Sequence, residues 1–180
     1  MRYLDRLTAI RIREGDTLAF ETLIHTYQSR VFSYCLRMTD DHGAAEDLAQ
    51  EVFLKVYRNI GSYDCHKAGL STWVYAISRN TALNYLRSLE RKEREVAISA
   101  EELARLASPN QTNGLEDRLR LIEALNKLDP EDRDIVLWKD YLDLRYSEIA
   151  QLLQLPVGTV KSRLFSIRRS LRRELEGMSK

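Results

Sequence analysis

The residues best suited to binding another molecule lie in one stretch near the C-terminus, residues 157–173, with the sequence VGTVKSRLFSIRRSLRR. This stretch holds six basic residues and no acidic one. Placed on a helix, it has an apolar stripe at helical spacing, formed by Val160, Leu164, Ile167 and Leu171. A second stripe, offset by one residue, is formed by Lys161, Phe165, Arg168 and Arg172. A basic face with one aromatic suits a polyanion, and a solvated surface helix is the alternative.

The residues before this stretch predict a helix-turn-helix. Ser147 is placed to cap a short helix over residues 148–153, and Pro156 suits the first turn of the next helix. Gln154 lies in the turn, where many such motifs carry Gly. Residues 129–148 carry seven acids against three basic residues, so charge is segregated between the two parts of the motif. This asymmetry favours DNA binding, with the second helix in the major groove.

An acidic face is predicted in the N-terminal half. Asp16 is placed to cap a helix that ends near Thr39, and a third helix is expected over residues 44–60. Five acids and no Lys or Arg lie between residues 40 and 51. Acids near a helix start also interact favourably with the helix dipole, which is the structural alternative. A basic partner for this face is therefore one of two open interpretations.

A polar stripe is predicted on the following helix, which we expect to be capped by Ser71 or Thr72. At 100° per residue, one side carries the apolar residues and the opposite side carries Trp73, Asn80, Asn84, Arg87 and Arg91. Amides bind base edges, guanidinium groups bind phosphate or guanine, and an aromatic stacks on an unpaired base. Because tryptophan usually packs in the core, we expect the two amides and Arg87 to be the more direct contacts.

Composition excludes several classes of protein. The chain has 180 residues and a formal net charge of +1, so nucleic-acid binding would depend on local patches. Cys35 and Cys65 give neither a disulfide framework nor zinc spacing, and we expect no metal and no cofactor. The charged N-terminus is no signal peptide, and no apolar run approaches the roughly 20 residues of a membrane span. We expect a cytoplasmic protein that is not inserted in a membrane.

Recurring helical periods and few Gly or Pro residues predict an all-α protein without internal repeats. Residues 91–114 are charge-balanced and end in SPNQTNG, which breaks helices and cannot form a core. The predicted organisation is therefore two small helical domains, residues 1–92 and 115–180. A flexible linker over residues 93–114 joins them, and the helix-turn-helix lies in the C-terminal domain.

Three segments in this order resemble the extracytoplasmic-function sigma factors of bacterial RNA polymerase. They are AEDLAQEVFLKVYRNIGSYD, STWVYAISRNTALNYL and LDPEDRDIVLWKDYLDLRYSEIAQLLQLPVGTVKSRLFSIRRSL. The resemblance covers nearly the whole chain, about residues 20–92 and 115–176. It implies a sigma region 2 over residues 1–92, which binds polymerase and opens DNA, and a sigma region 4 over residues 115–180.

The resemblance also implies roles for individual residues. The DLAQE segment would dock on the polymerase clamp through Asp47, Gln50, Glu51 and Phe53. Capture of the minus-ten strand would involve the loop from Asp64 to Ser71, followed by Trp73, Asn80, Asn84 and Arg87. Duplex recognition at minus thirty-five would involve Lys161, Ser162, Arg163, Phe165, Arg168 and Arg172.

The implied partners are core polymerase, through its clamp and flap regions, and promoter DNA in duplex and single-stranded form. The resemblance further implies a cognate anti-sigma factor, whose membrane attachment is left open. No Ser, His or Cys constellation indicates catalysis, so we expect no enzyme. The alternative function is a conventional helix-turn-helix regulator that acts without docking on polymerase. A helical enzyme or small-molecule binder has no support beyond the Cys65-His66 pair.

Overall fold

The computed structural model describes residues 2–96, 120–121 and 123–177, and every regular element in these parts is helical. The longer helices are α1 (Arg2–Arg13), α2 (Thr17–Thr39), α3 (His42–Asn59), α4 (Leu70–Val96), α5 (Pro130–Val136), α6 (Tyr146–Leu153) and α7 (Val157–Gly177). A 3-10 turn (Ile60–Ser62) follows α3, and a π-helical turn (Leu137–Tyr141) continues α5. Residues 120–121 and 123–126 are also helical. The all-α prediction is confirmed.

The predicted linker lies largely outside the described residues, because only its first four positions belong to the end of α4. The exact domain boundaries therefore stay a prediction. Among the described helices, none combines the length and the apolar character that crossing a bilayer requires.

Aspartate side chains cap the N-termini of two helices in the N-terminal half. Asp16 caps α2, and its carboxylate accepts a hydrogen bond from the backbone N–H of Ala19 at 3.0 Å and from Arg11 Nε at 2.7 Å. The backbone hydrogen bond and then the Arg11 contact lower the pKa of Asp16. Asp41 caps α3 in the same way, accepting from the backbone N–H of Ala44 at 2.9 Å. Because Asp41 is the cap, α3 begins at His42, two residues before its predicted start.

The start of α4 differs from its predicted start. The helix begins at Leu70, and its first backbone N–H donates to the carboxylate of Asp5 in α1 at 3.1 Å. Thr72 is buried, and its hydroxyl donates to Glu148 Oε1 at 3.2 Å instead of capping the helix. The prediction of a Ser71 or Thr72 cap is therefore wrong, because a distant acid supplies the acceptor.

The N-terminal half has its core where α2, α3 and α4 pack together. The fully buried side chains in this core include Val31, Val52, Val56, Val74 and Ala82. Arg13 fixes α1 to the turn that follows α3, donating to the backbone carbonyls of Ile60 and Tyr63 at 3.3 and 3.1 Å. These contacts hold the loop between α3 and α4 against α1.

The C-terminal half packs α5, α6 and α7 around the side chains of Trp138, Ile149, Val160 and Leu164, all of which are buried. Arg133 is buried among carbonyl groups at the end of the helical residues 123–126. It donates to Leu125 O at 3.0 Å and to Asn126 O at 2.8 Å. Burial lowers the pKa of Arg133.

The two halves contact each other through a buried carboxylate. Asp134 of α5 has a side chain that is 0% exposed, and it accepts from Tyr34 Oη at 2.5 Å and from Arg79 Nε at 2.7 Å. We call these three residues the Asp134 cluster. Trp138 stacks beside Tyr34 with ring centroids 6.5 Å apart, and the Arg79 guanidinium lies 5.9 Å from the Trp138 ring. Aromatic and charged groups thus form the centre of the interface.

Further hydrogen bonds extend the interface toward both ends of the contact. Arg133 donates to Met38 O in α2 at 3.2 Å. At the other end, Gln151 of α6 donates to Lys67 O in the loop before α4 at 2.6 Å. Together with the Thr72–Glu148 bond, these contacts place the first helix of the helix-turn-helix against that loop. On the second helix, α7, the side chains of Lys161, Phe165, Arg168 and Arg172 are exposed.

Candidate nucleic-acid interface

The helix-turn-helix is formed by α6, the turn at Gln154 and α7. Gln154 has φ +56°, and the backbone N–H of Leu155 returns to Ala150 O at 2.9 Å. This left-handed conformation favours glycine, which explains why glycine suits the position. Helix α6 begins at Tyr146, and Glu148 accepts from the backbone N–H of Arg145 at 2.8 Å. The predicted cap at Ser147 is therefore wrong, because Glu148 binds the chain from inside the helix.

The two stripes predicted on α7 separate in the structure. The apolar stripe is buried against α5 and α6. The other stripe is exposed and forms what we call the α7 ridge, which consists of Lys161, Phe165, Arg168 and Arg172. The Phe165 side chain lies between cations of the ridge and is 69% exposed. Phenylalanine side chains are more often buried. Major-groove binding by this exposed basic face stays a prediction.

Two of the predicted DNA-contacting arginines are paired with acids of the same domain. Arg163 points toward α5, where Asp132 accepts from its Nε at 2.9 Å and Glu131 accepts from a terminal nitrogen at 3.1 Å. Arg168 binds the carboxylate of Asp140 through Nε at 3.2 Å and through a second, shorter contact. Ser162 is exposed, and its hydroxyl donates to Thr159 O. The DNA-contacting role of these residues stays a prediction.

A groove of about 320 Å³ lies between α3 and α4. It brings together two of the predicted single-strand residues, Trp73 and Asn80, while Asn84 and Arg87 continue the exposed face farther along α4. The groove is also lined by Lys55, Asn59 and Thr81, which were not among the predicted site residues. Lys55 Nζ lies 2.7 Å from Glu51 Oε1 and 3.1 Å from Thr81 Oγ1. No pattern within α4 alone identifies this lysine, because α3 supplies it.

The loop before α4 places Asp64 at the edge of a second cavity, of about 250 Å³, while Ser71 lies farther along, in the first turn of α4. Asp64 accepts from the backbone N–H of His66 at 2.9 Å, which orders the loop. Ligand atoms of Asp64, Cys65 and His66 lie within 4.8 Å of one another. Arg6 and Arg13 line the same cavity, and their positive charge opposes a bound cation. The expectation of no metal stays a prediction.

A larger apolar groove of about 650 Å³ lies between α2 and α3. Gln50 and Phe53 line it, whereas Asp47 and Glu51 lie on the adjoining exposed flank of α3. Leu54 also lines the groove and is 54% exposed. The remaining walls come mainly from α2 and include Phe20, Ile24 and Phe32. The four predicted docking residues thus divide into an apolar groove and an acidic flank.

A helical chain whose helix-turn-helix exposes a basic face on its second helix has the features of a DNA-binding protein. Residues 23–92 match the family described as Sigma-70 region 2, and residues 118–171 match Sigma-70, region 4. The chain is 31% identical to the RNA polymerase sigma-H factor of Pseudomonas aeruginosa, over 96% of this chain and 94% of that protein. It is 31% identical to the ECF RNA polymerase sigma factor SigW of Bacillus subtilis, over 93% of this chain and 95% of that protein.

Solved structures share the fold. The structure of CnrH in complex with the cytosolic domain of CnrY superposes with a TM-score of 0.73 at 19% identity, covering 96% of this chain and 97% of that one. The sigma factor RpoE in complex with the anti-sigma factor NepR, from Bartonella quintana, gives a TM-score of 0.66 at 23% identity, covering 87% and 96%. The chain belongs to the extracytoplasmic-function sigma factors, a family of transcription initiation factors.

Proposed function

We propose that the chain directs core RNA polymerase to promoters by dividing DNA recognition between its two domains. The α7 ridge contacts duplex DNA at the minus-thirty-five element, and the α3–α4 groove holds the unpaired strand at minus ten. Flipping a base out of the duplex costs a few kcal/mol, and stacking returns about 1–3 kcal/mol per base. Promoter opening is then binding work in which the protein makes no covalent bond. The protein acts in the cytoplasm, where polymerase and promoter DNA meet.

The observation that carries the duplex assignment is the exposure of Phe165 between Lys161 and Arg168, on the second helix of a helix-turn-helix. The opposite face of α7 is buried, so the exposed face is free to enter a major groove. There the cations suit phosphates and guanine, and the ring suits the methyl group of thymine.

The residues that line the α3–α4 groove support its assignment to single-stranded DNA. An indole, an amide and a lysine converge there, and the amide Asn80 is exposed. An unpaired base offers a face for stacking and edges for hydrogen bonds, and a lysine neutralises the adjacent phosphate. A duplex base offers neither its face nor its Watson–Crick edge, so the groove is suited to the separated strand.

The α2–α3 groove indicates which kind of partner docks on it. An apolar groove with Asp47 and Glu51 on its flank suits an amphipathic helical segment with basic residues beside its apolar face. We assign this surface to the clamp of core polymerase, and we assign a contact with the flap to the C-terminal domain. Tethering through polymerase raises the effective concentration of each DNA site for the other domain.

Inhibition by an anti-sigma factor also belongs to this proposal, and whether that inhibitor is membrane-bound is left open. One structural neighbour is the sigma factor RpoE in complex with the anti-sigma factor NepR, and another is CnrH in complex with the cytosolic domain of CnrY. A chain that covers both domains would block the ridge and the docking groove together.

Run-off transcription with purified core polymerase and a promoter library tests the whole proposal. The chain should redirect polymerase to new start sites, and failure to do so at any promoter would contradict it. A conventional regulator would bind duplex DNA without competing with other sigma subunits for core polymerase.

Variants separate the three surfaces. Lys161→Ala and Phe165→Ala should weaken minus-thirty-five recognition. Lys127→Ala is the control and should leave that recognition unchanged, because this lysine pairs with Glu174, away from the ridge. Asn80→Ala should spare duplex binding and impair single-strand capture, with the exposed Ser88→Ala on the same helix as its control.

Asp47→Lys with Glu51→Lys should abolish competition for core polymerase. A double variant of equal charge change at exposed positions elsewhere, Glu14→Lys with Glu123→Lys, should compete normally. Holoenzyme formation by the α3 double variant would remove the docking assignment and leave the DNA assignments standing.

A further inference from the structure

One ion pair lies at the edge of the surface assigned to duplex DNA. Asp140, on the π-helical turn after α5, binds the guanidinium of Arg168 through both of its carboxylate oxygens. Both side chains reach solvent, with Arg168 52% and Asp140 38% exposed. The pair therefore sits where a DNA phosphate would approach the α7 ridge.

We propose that Asp140 is an internal competitor for the DNA backbone, holding the Arg168 guanidinium in the free chain and yielding it to a phosphate on the duplex. This inference rests on the proposed role of the α7 ridge. A carboxylate and a phosphodiester both offer two oxygens to the planar fork of arginine, so each occupies the same donors. An exposed ion pair contributes little net free energy, so a phosphate can replace the carboxylate.

The other arginines of α7 sharpen this assignment. Arg163 is held by Asp132 and Glu131 together, and its side chain is less exposed than that of Arg168. Its ion pairs link α7 to α5. Arg172 lies on the same ridge as Arg168 and makes no ion pair with any side chain that the structure describes. Arg168 alone among the ridge residues has both an exposed position and a carboxylate partner in the described part of the chain.

Asp140 has a predictable effect on the salt dependence of binding. Each phosphate that a protein neutralises adds about 0.9 to the magnitude of the slope of log K against log salt. When Arg168 leaves Asp140 for a phosphate, the negative charge of the freed carboxylate takes up a cation from solution, which offsets the counterion released from the DNA. Without that charge, the Arg168 contact should count in full.

The experiment measures binding of the full chain to a short duplex of mixed sequence over a range of salt concentrations. Asp140→Asn should tighten binding several-fold at low salt and steepen the slope by about 0.9. The matched control is Asp143→Asn, which removes the same charge three residues later. Asp143 is 95% exposed and pairs with Lys139, not with α7. An equal effect of both substitutions would overturn the proposal in favour of overall charge.

A second comparison tests whether Asp140 acts through Arg168. In an Arg168→Ala background, Asp140→Asn should lose most of its effect on affinity and slope. If the full gain persists there, Asp140 repels DNA directly and the proposed competition is wrong. An unchanged slope in the single variant would also overturn it.

Lys161→Ala separates this inference from the proposed function. If Lys161→Ala weakens duplex binding while Asp140→Asn changes nothing, only the competition is wrong. If Lys161→Ala has no effect, the ridge is not the duplex-binding surface, and both proposals fail together.

Discussion

Two arginine–aspartate pairs use the same chemistry in opposite environments. Arg79 and Asp134 meet in the interface between the two halves, where the carboxylate is 0% and the guanidinium side chain 18% exposed. Arg168 and Asp140 meet on the surface of the C-terminal half. The buried pair has Tyr34 as a third partner, whereas the exposed pair faces solvent.

The comparison teaches that burial decides what an ion pair does. Breaking a buried pair leaves one charge without solvent or partner, so such a pair fixes an arrangement of helices. An exposed pair is easily replaced by another anion, so it is suited to exchange with a ligand. The helices that carry these arginines, α4 and α7, both bear predicted DNA contacts. Arg79, however, packs the protein together, while Arg168 remains accessible.

The largest expected effect comes from Arg79→Ala. It leaves the Asp134 carboxylate buried beside Tyr34 without its cation, which costs about 3–5 kcal/mol. We expect the halves to separate, and X-ray scattering should give a radius of gyration above the roughly 16 Å of a compact chain of this length. Arg58→Ala on the exposed side of α3 is the control. A compact Arg79→Ala variant of unchanged stability would remove the distinction between the pairs.

A smaller effect is expected from Tyr34→Phe. The substitution keeps the ring beside Trp138 and removes the hydroxyl that donates to Asp134. A hydrogen bond to a charged group contributes about 1.5–3 kcal/mol, and urea unfolding should show a loss in this range. The buried hydroxyl needs no ionisation for this role, since burial raises the pKa of Tyr34 well above its ordinary value. Unchanged stability would mean that the carboxylate needs only its arginine.

The stability that depends on the buried pair should change with pH, because Asp134 titrates. Burial raises the pKa of Asp134 above 3.8, although hydrogen bonds from Tyr34 and Arg79 oppose the shift and Glu131 adds to it. A raised folded-state pKa means that ionised Asp134 costs stability, and that this cost falls as pH drops through the folded-state pKa. The unfolding free energy of the unsubstituted chain minus that of Asp134→Asn should therefore rise as pH falls through this pKa. A flat difference would contradict the raised pKa.

The smallest effect on stability is expected from Arg168→Ala. The exposed pair with Asp140 contributes below about 1 kcal/mol, so the urea midpoint should move little. A loss as large as that of Arg79→Ala would show that the exposed pair also fixes the fold, and would contradict its exchange with a phosphate.

Local patterns were sufficient to predict most of the helices. The Asp16 cap and the end of α2 at Thr39 are confirmed, and the two stripes of α7 are buried and exposed as predicted. Periodicity within one helix contains this information, because side chains three and four residues apart share a face. The family resemblance is likewise confirmed by two family matches and by relatives aligned over nearly the whole chain.

Contacts between distant segments were beyond sequence reasoning. Asp5 caps a helix that begins 65 residues later, and Tyr34 binds an acid 100 residues later. The apolar groove beside Gln50 also requires α2, which forms its other wall. The apolar residues Phe20 and Ile24 of α2 were the sequence signal available for this wall. Pairing across such separations depends on how whole helices pack, which no local spacing specifies.

The position of Trp138 has a spectroscopic consequence. Its indole N–H is buried without a hydrogen-bond partner in the described structure, beside Tyr34 and Arg79. The chain has two tryptophans, and the other, Trp73, lines the groove on α4. Separating the halves hydrates Trp138 and shifts its fluorescence to longer wavelength, while a base stacked on Trp73 quenches the second emitter. With either indole replaced by phenylalanine, intrinsic emission follows domain opening and strand capture as separate events, without an added dye.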